Sequence, residues 1–182
     1  MDHPIAIITD STCDLPLALR QQYEIGVVPL YILWGDETLR DGVDVSAEDF
    51  YARMVSEPGA RPKTSLPTPG DFLQAFQAAL AKGAKEIVAL TICSAMSGTI
   101  ESARQAAGMI SAPVHLVDSR SNSMSLGWQV LAAARARAEG GDAQAMVAAA
   151  ERVRRSLVYI IALDTLDYLF AGGRIGGAIS FL

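Results

Sequence analysis

Short runs of apolar, β-branched residues alternate with amphipathic stretches along this chain. The apolar runs cover residues 5–9, 26–33, 86–91, 114–117 and 158–163. Continuous apolar runs of this length are typical of strands that are buried on both faces. Because such strands alternate with helical patterns, the sequence predicts an α/β fold in which a mostly parallel sheet carries helices on both faces.

Capping residues mark the starts of the predicted helices. Thr68 followed by Pro69 predicts an N-cap and a proline at the first helical position. Ser46 predicts the N-cap of a second helix. An alanine-rich stretch over residues 126–138 predicts a longer helix that ends at a Gly-Gly pair. The apolar positions of these helices recur at helical spacing, so we expect them to build the core.

The end of the chain is unusual for a globular protein. After Arg174 the sequence stops inside an apolar run that carries no capping signal. A missing following segment, or burial of this run against a partner, explains the ending more simply than a natural terminus does. We therefore expect the chain to be cut short.

Composition and charge remove several classes of function. The 182 residues are 51% hydrophobic and carry a net charge of -5, and no Lys/Arg-rich run offers the surface that a phosphate backbone requires. Nucleic acid is therefore not an expected partner. The N-terminus lacks the pattern of a signal peptide, and no segment has the roughly 20 apolar residues of a membrane span. We expect a cytoplasmic protein.

The cysteines and histidines suggest no metal or redox chemistry. Cys13 and Cys93 lie in unrelated segments without C-x-x-C spacing, so reduced thiols are expected, and no metal site. A nucleophilic cysteine would need a nearby base. His3 lies at the terminus, and His115 lies inside a predicted strand, where a structural role is the commoner one.

Three polar clusters follow predicted strands or loops, at residues 10–14, 63–69 and 93–99. In open α/β sheets the ligand crevice lies beyond the carboxyl ends of the strands, so the clusters are candidates for one site. The first cluster has turn and cap chemistry that also explains it without a ligand. The second is predicted to be a proline-stiffened loop. The third joins a strand to a helix N-terminus, a place that favours anions.

Four motifs resemble those of DegV-family proteins in their order and spacing. They are Asp10-Ser11-Thr12 with Asp14-Leu15-Pro16, Lys63-Thr64-Ser65-x-Pro67, Ser94-x-x-Ser97-Gly98-Thr99, and Gly172-Gly173-Arg174-Ile175. Each motif is weak alone, but the four together extend the resemblance from residue 5 to residue 182. The resemblance implies a Rossmann-like N-terminal α/β domain, here residues 1–156, followed by a second α/β domain that begins with residues 157–182 and is incomplete in this chain.

The resemblance also implies a function and a set of site residues. DegV-like proteins bind a long-chain fatty acid as their ligand, use no cofactor and catalyse no reaction themselves. Some serve as the acyl-carrying subunit of bacterial fatty acid kinase, so a separate ATP-using kinase subunit is a candidate partner. Peripheral contact with a membrane during ligand exchange is a further expectation. The site residues carried over are as follows: Thr64 and Ser94 for the carboxylate, Ser65, Ser97 and Gly98 for the shape of the pocket, and Arg174 near the head group or the partner surface.

Some residues depart from the DegV pattern or have a second explanation. Cys93 stands where DegV-like proteins often have serine, which removes one donor beside the expected carboxylate site. Apolar candidates for the acyl tunnel also have a core role open to them, and they are Ile32, Trp34, Phe72, Phe76 and Met96. One alternative function is a metal-dependent phosphotransferase or phosphatase that uses Asp10 as a nucleophile. Another is a truncated family member that holds no stable ligand.

Overall fold

The computed structural model describes residues 3–174. Its strands are β1 Ile5–Asp10, β2 Ile25–Val28, β3 Tyr31–Trp34, β4 Glu37–Arg40, β5 Lys63–Ser65, β6 Glu86–Thr91 and β7 Val114–Asp118. Its α-helices are α1 Leu17–Gln22, α2 Ala47–Ser56, α3 Pro69–Ala81, α4 Thr99–Ala107, α5 Ser123–Ala138, α6 Ala143–Ser156 and α7 Asp167–Ala171. A single 3-10 turn, Ser11–Cys13, follows β1 directly.

Four strands form a parallel sheet in the order β2-β1-β6-β7. The central strand β1 is buried along its whole length, because Ile5 and Ile7 pack on one face while Ala6 and Ile8 pack on the other. This two-sided burial explains why the strand has a continuous apolar run instead of an alternating pattern. The predicted α/β class and parallel sheet are confirmed.

Helices cover both faces of this sheet. On one face, α5 and α6 contribute Leu126, Val130 and Met146 to a core that includes the odd-numbered residues of β1. On the other face, α3 contributes Phe72 and Phe76, which are fully buried with alanines of α4. Large apolar side chains at such positions contribute about 3–5 kcal/mol relative to alanine. The two Phe rings therefore belong to the core and not to an acyl tunnel.

A second, antiparallel sheet has the order β4-β3-β5 and was not predicted. The single strand predicted over residues 26–33 is wrong, because the chain leaves the parallel sheet after Val28 and enters the second sheet at Tyr31. Pro29 separates the two strands and has no N–H for a ladder. The N–H of Leu30 donates instead to the hydroxyl of Ser11 at 3.0 Å. Ile32 and Trp34 are buried in this second sheet.

The strand predicted over residues 158–163 is also wrong. These residues form neither strand nor helix, and the side chains of Val158 and Ile160 are 83% and 82% exposed. Within residues 3–174, no strand pairs with this segment. The short helix α7 follows this segment. Ile175 and the apolar run after it lie outside the described residues.

Candidate functional site

The loops after β1 and β6 are joined by the carboxylate of Asp10. Its Oδ1 accepts hydrogen bonds from the N–H and the hydroxyl of Thr12, at 3.0 and 2.5 Å, and its Oδ2 accepts the N–H of Ile92 at 2.7 Å. Asp10 is the last residue of β1 and the cap of the 3-10 turn. The first polar cluster therefore fixes the carboxyl-end edge of the sheet.

The geometry of Asp10 does not suit a nucleophile. The residue is 0% exposed, and donors from Thr12 and Ile92 occupy both of its oxygens. Burial raises the pKa of its carboxyl above the ordinary value, although these hydrogen bonds act in the opposite direction. Residues 3–174 also contain no group of three or more His, Cys, Asp or Glu residues that could hold a metal ion. The observed contacts support the structural role of this cluster.

The second polar cluster includes a strand where a loop was predicted. Lys63, Thr64 and Ser65 form β5 and pair with β3, with Thr64 opposite Ile32. The predicted loop was wrong for these three residues because a short polar edge strand resembles a loop in sequence. The pairing holds Thr64 and Ser65 in extended geometry beside α2.

The third cluster is a compact turn that leads into α4. The N–H groups of Met96 and Ser97 both bond to the carbonyl of Cys93, at 3.0 and 3.2 Å. The hydroxyl of Ser97 lies 2.8 Å from that of Thr99, the first residue of α4. Gly98 occupies the N-cap position and offers no side-chain cap. The turn thus presents the side chains of Met96 and Ser97 toward the space beside β5.

A cavity of about 470 Å³, here called the site cavity, lies between these elements. This volume is within the range of about 300–1,000 Å³ that is typical of small-molecule sites. Its polar lining includes four of the predicted site residues, and these are Thr64, Ser65, Ser97 and Arg174. A larger concavity of about 660 Å³ lies between α1, β2 and α3, and none of the predicted site residues line it.

The rest of the lining is largely apolar and comes from distant segments. The apolar wall includes Phe50 and Met54 of α2, Ile92, Met96, and Leu169 of α7. Of the five residues predicted as candidates for the acyl tunnel, Met96 lines the site cavity and the other four do not. Thr12 also lines it and was not among the predicted site residues. The order of motifs could have suggested Thr12, because it lies at the carboxyl end of β1. The sequence could not identify Phe50 and Met54 as cavity residues, because the apolar face of an amphipathic helix is equally expected to pack in the core.

Two predicted site residues lie outside this lining. Ser94 is exposed, and its hydroxyl donates to Oδ2 of Asp118 at 2.6 Å. Gly98 lies beside Leu66, whose Cδ2 would be 3.5 Å from a Cβ added at the glycine. The structure therefore brings Thr64, Ser65, Ser97 and Arg174 to one cavity and leaves Ser94 and Gly98 in the turn beside it.

Helix α2 is anchored over the site cavity mainly through Trp34. The rings of Trp34 and Phe50 meet edge to face with centroids 5.3 Å apart, and the Arg53 guanidinium lies 4.4 Å from the centroid of the Trp34 ring. The indole N–H donates to Glu57 at 2.8 Å. This bond, together with Arg53, holds the pKa of Glu57 below its ordinary value. No residue of α2 is fully buried, so these contacts position the helix.

Basic side chains give the site cavity a positive character. Lys63 and Arg174 both line it. Arg174 donates to the carbonyl of Gly172 at 2.6 Å, and within residues 3–174 it forms no salt bridge with a carboxylate. Tyr168 of α7 lines the cavity as well and lies 5.9 Å from the Arg61 guanidinium. Hydroxyls and cations beside an apolar interior suit an amphipathic anion.

The cysteines and His115 occupy structural positions. Cys13 and Cys93 are free and buried, and burial raises the pKa of both thiols, to about 11 for Cys13. A thiol with a raised pKa is a weak nucleophile at neutral pH. His115 lies on β7 with its Nε2 3.0 Å from Glu86 of the neighbouring strand.

No helix within residues 3–174 combines the length and the apolar character needed to cross a membrane.

Fold and cavity together define an α/β protein with a largely apolar cavity that hydroxyl groups also line. The chain matches the family described as "Uncharacterised protein, DegV family" over residues 4–182. It is 38% identical over 179 residues to a DegV domain-containing protein of Mycobacterium bovis, an alignment that covers 98% of this chain and 61% of that protein. The chain therefore belongs to the DegV family, and the resemblance noted from its motifs is confirmed.

Two solved structures resemble this one closely. A DegV family protein from Thermus thermophilus, described as fatty acid binding, matches with a TM-score of 0.85 and 36% identity over 98% of this chain and 63% of its own. A stearic-acid-binding protein from Eubacterium ventriosum matches with a TM-score of 0.81 and 29% identity over 94% of this chain and 60% of its own. The chain thus spans between 60% and 63% of the length of these proteins and of the Mycobacterium bovis relative.

Proposed function

We propose that this chain binds a long-chain fatty acid, with the carboxylate near Thr64, Ser65, Ser94, Ser97 and Arg174 and the acyl tail against the apolar wall of the site cavity. The observation that carries the proposal is the meeting of hydroxyls, two basic side chains and an apolar wall in one cavity of about 470 Å³. The fatty-acid-binding descriptions of its structural neighbours support the same ligand class.

The energetics of such a ligand fit this lining. Each methylene removed from water contributes about 0.8 kcal/mol, so ten of them contribute about 8 kcal/mol. A hydrogen bond to a charged group contributes roughly 1.5–3 kcal/mol. Affinity is therefore expected to follow the length of the acyl chain, while the hydroxyls and Arg174 select a carboxylate over a neutral head group.

We also propose that the chain is a non-catalytic, cytoplasmic carrier that presents the acid to a separate ATP-using kinase subunit. The sequence has no G-x-x-x-x-G-K-[ST] loop for nucleotide phosphates, which supports a partner as the source of ATP chemistry. The family resemblance supports the acyl-carrying role. Formation of an acyl phosphate only when protein, kinase subunit and ATP are combined is the outcome expected. Acyl phosphate formation by the chain alone would contradict a non-catalytic role.

Ligand occupancy gives the direct test. Native mass spectrometry of the purified protein is expected to show a mass increment equal to a fatty acid, and calorimetric titration of delipidated protein is expected to show palmitate binding. The paired substitutions Thr64→Ala and Ser94→Ala remove two donors and should raise Kd at least roughly tenfold. Neither change opens a core cavity, because both side chains are exposed.

A matched control separates site effects from general effects of hydroxyl removal. Ser156→Ala removes a hydroxyl that bonds the carbonyl of Arg152 at the end of α6 and does not line the site cavity, so it should leave palmitate affinity unchanged. A protein that is empty when purified and that ignores added palmitate would refute the proposed function. Unchanged affinity in the paired variant would instead refute the assignment of the carboxylate to these hydroxyls.

A further inference from the structure

The hydroxyl proton of Ser94 is already committed to a carboxylate of the protein. Ser94 Oγ donates to Asp118 Oδ2 at 2.6 Å, and the Ser94 N–H donates to Oδ1 of the same carboxylate at 3.2 Å. Oδ1 also accepts the N–H of Arg120 at 2.9 Å. A serine hydroxyl has one proton to donate. While it bonds Asp118, Ser94 presents only lone pairs to any second acceptor.

Asp118 is held firmly in this position by the sheet. It is the last residue of β7 and lies opposite Thr91 in the register with β6. Its own carbonyl accepts the guanidinium of Arg154 at 2.9 Å. The carboxylate forms no salt bridge within residues 3–174, and it accepts hydrogen bonds from the N–H and O–H of Ser94 and the N–H of Arg120.

Ser94 belongs to the turn that borders the site cavity. The N–H of Ser97 bonds to the carbonyl of Cys93, so the turn is closed around Ser94, and both Met96 and Ser97 line the cavity. The N–H of Cys93 bonds to the carbonyl of Ser121, which ties this turn to the loop after β7. With the backbone held at both ends, rotation about the Cα–Cβ bond is the freedom left to the hydroxyl.

We propose that Asp118 is a positioning residue that competes with the ligand carboxylate for the proton of Ser94. This inference rests on the proposed function, since it concerns the head group of the same ligand. A bound carboxylate obtains a hydrogen bond from Ser94 only when the hydroxyl leaves Asp118. The affinity for the head group is therefore set by the difference between two charge-assisted hydrogen bonds and not by the strength of one.

The substitution Asp118→Asn tests this competition while keeping the shape of the side chain. The amide oxygen can still accept the N–H groups of Ser94 and Arg120, and the amide nitrogen can donate to Ser94 Oγ. The Ser94 proton is then free for the ligand. We expect Asp118→Asn to lower the Kd for palmitate by about tenfold, which is the scale of one hydrogen bond to a charged group.

Two comparisons exclude a merely structural effect. In a Ser94→Ala background, Asp118→Asn should no longer change palmitate affinity, because the residue acts through that hydroxyl. The methyl ester of palmitate has the same tail without the charge, so its affinity should change much less than that of the acid. Asp36→Asn, a substitution in the exposed turn between β3 and β4, removes the same charge and should leave both affinities unchanged.

The outcomes separate this inference from the proposed function. Palmitate binding by the wild type together with an unchanged or raised Kd in Asp118→Asn would overturn the role of Asp118 and leave the ligand assignment standing. An equal gain in the Ser94→Ala background, or for the methyl ester, would overturn it as well. A wild type and an Asp118→Asn variant that both fail to bind palmitate would overturn both proposals.

Discussion

The carboxylate of Asp10 joins two residues that line the site cavity, Thr12 and Ile92. Asp10→Ala would leave the N–H of Ile92 without this partner in a buried position. An unsatisfied buried donor costs about 1–3 kcal/mol, and the two Thr12 bonds are lost as well. We therefore expect Asp10→Ala to lower the free energy of unfolding by about 2–4 kcal/mol, as measured by urea denaturation followed by circular dichroism.

The same experiment distinguishes a structural Asp10 from a catalytic one. Asp10→Asn keeps the size of the side chain, but it replaces one carboxylate oxygen by an NH₂ group. That NH₂ group would face a donor of Thr12 or Ile92 and could not accept its hydrogen bond. The variant's loss of stability should therefore lie between those of the wild type and Asp10→Ala. Wild-type stability in both variants would contradict the bonding role, and a measurable phosphatase activity that Asp10→Asn abolishes would support the nucleophile hypothesis.

At the scale of elements, the N-terminus of α3 links the two sheets. Thr68 and Asp71 form a capping box, and the Asp71 carboxylate also accepts the hydroxyl of Tyr31 on β3 at 3.0 Å. Because α3 carries the buried Phe72 and Phe76, fraying of its first turn affects the core. Thr68→Ala should lower the free energy of unfolding by about 1 kcal/mol, measured by the same urea titration.

Helix α2 provides the matched control for this cap. Ser46 accepts the N–H of Asp49 at 3.0 Å, so Ser46→Ala removes a cap of the same kind. No residue of α2 is fully buried, and its loosening should leave global unfolding nearly unchanged. Equal losses of stability in Ser46→Ala and Thr68→Ala would show that global stability does not depend on what each helix buries.

The caps, the parallel sheet and the helix layers were predictable because each depends on local patterns. Thr68, Ser46 and the apolar run of β6 each carry their signal within a few residues. The break at Pro29 and the irregular structure of residues 158–163 were not predictable in this way. A β-branched run shows that a segment favours extended geometry, but a strand also needs a neighbour, and the neighbour lies elsewhere in the sequence.

In the candidate site, too, local motifs were predictable from the sequence and contacts between distant segments were not. Motifs led to the prediction of Thr64, Ser65, Ser97 and Arg174 as site residues, and all four line one cavity. The bond between Ser94 and Asp118 joins residues 24 positions apart, and only the pairing of β6 with β7 brings them together. Motif spacing therefore predicted a role for the Ser94 hydroxyl but could not show which acceptor holds its proton.

At the scale of the whole molecule, the site cavity depends on elements from across the chain. Its lining joins α2, strand β5 of the second sheet, the loop after β6 of the parallel sheet, and the segment around α7. Elements that contribute to the cavity without contributing to the core have low local stability. Ligand binding is therefore expected to stabilise α2 and the α7 segment more than the parallel sheet.

The segment that leads to α7 exposes large apolar side chains, with Val158 at 83% and Ile160 at 82%. Exposed apolar side chains that are close together in one segment favour association between protein molecules. Replacing these side chains by polar ones removes no packing from the core. We expect the paired substitution Val158→Ser and Ile160→Ser to reduce concentration-dependent association in sedimentation experiments. The free energy of unfolding should change by no more than about 0.5 kcal/mol, because neither side chain is buried.

A buried isoleucine supplies the comparison for this last prediction. Ile87 of β6 is 0% exposed, and Ile87→Val should cost about 0.5–1.5 kcal/mol although it removes a single methylene. If the paired change at Val158 and Ile160 costs more than Ile87→Val, the segment packs against the domain in solution. If association persists in the paired variant, other exposed residues such as Phe170 of α7, which is 73% exposed, drive it.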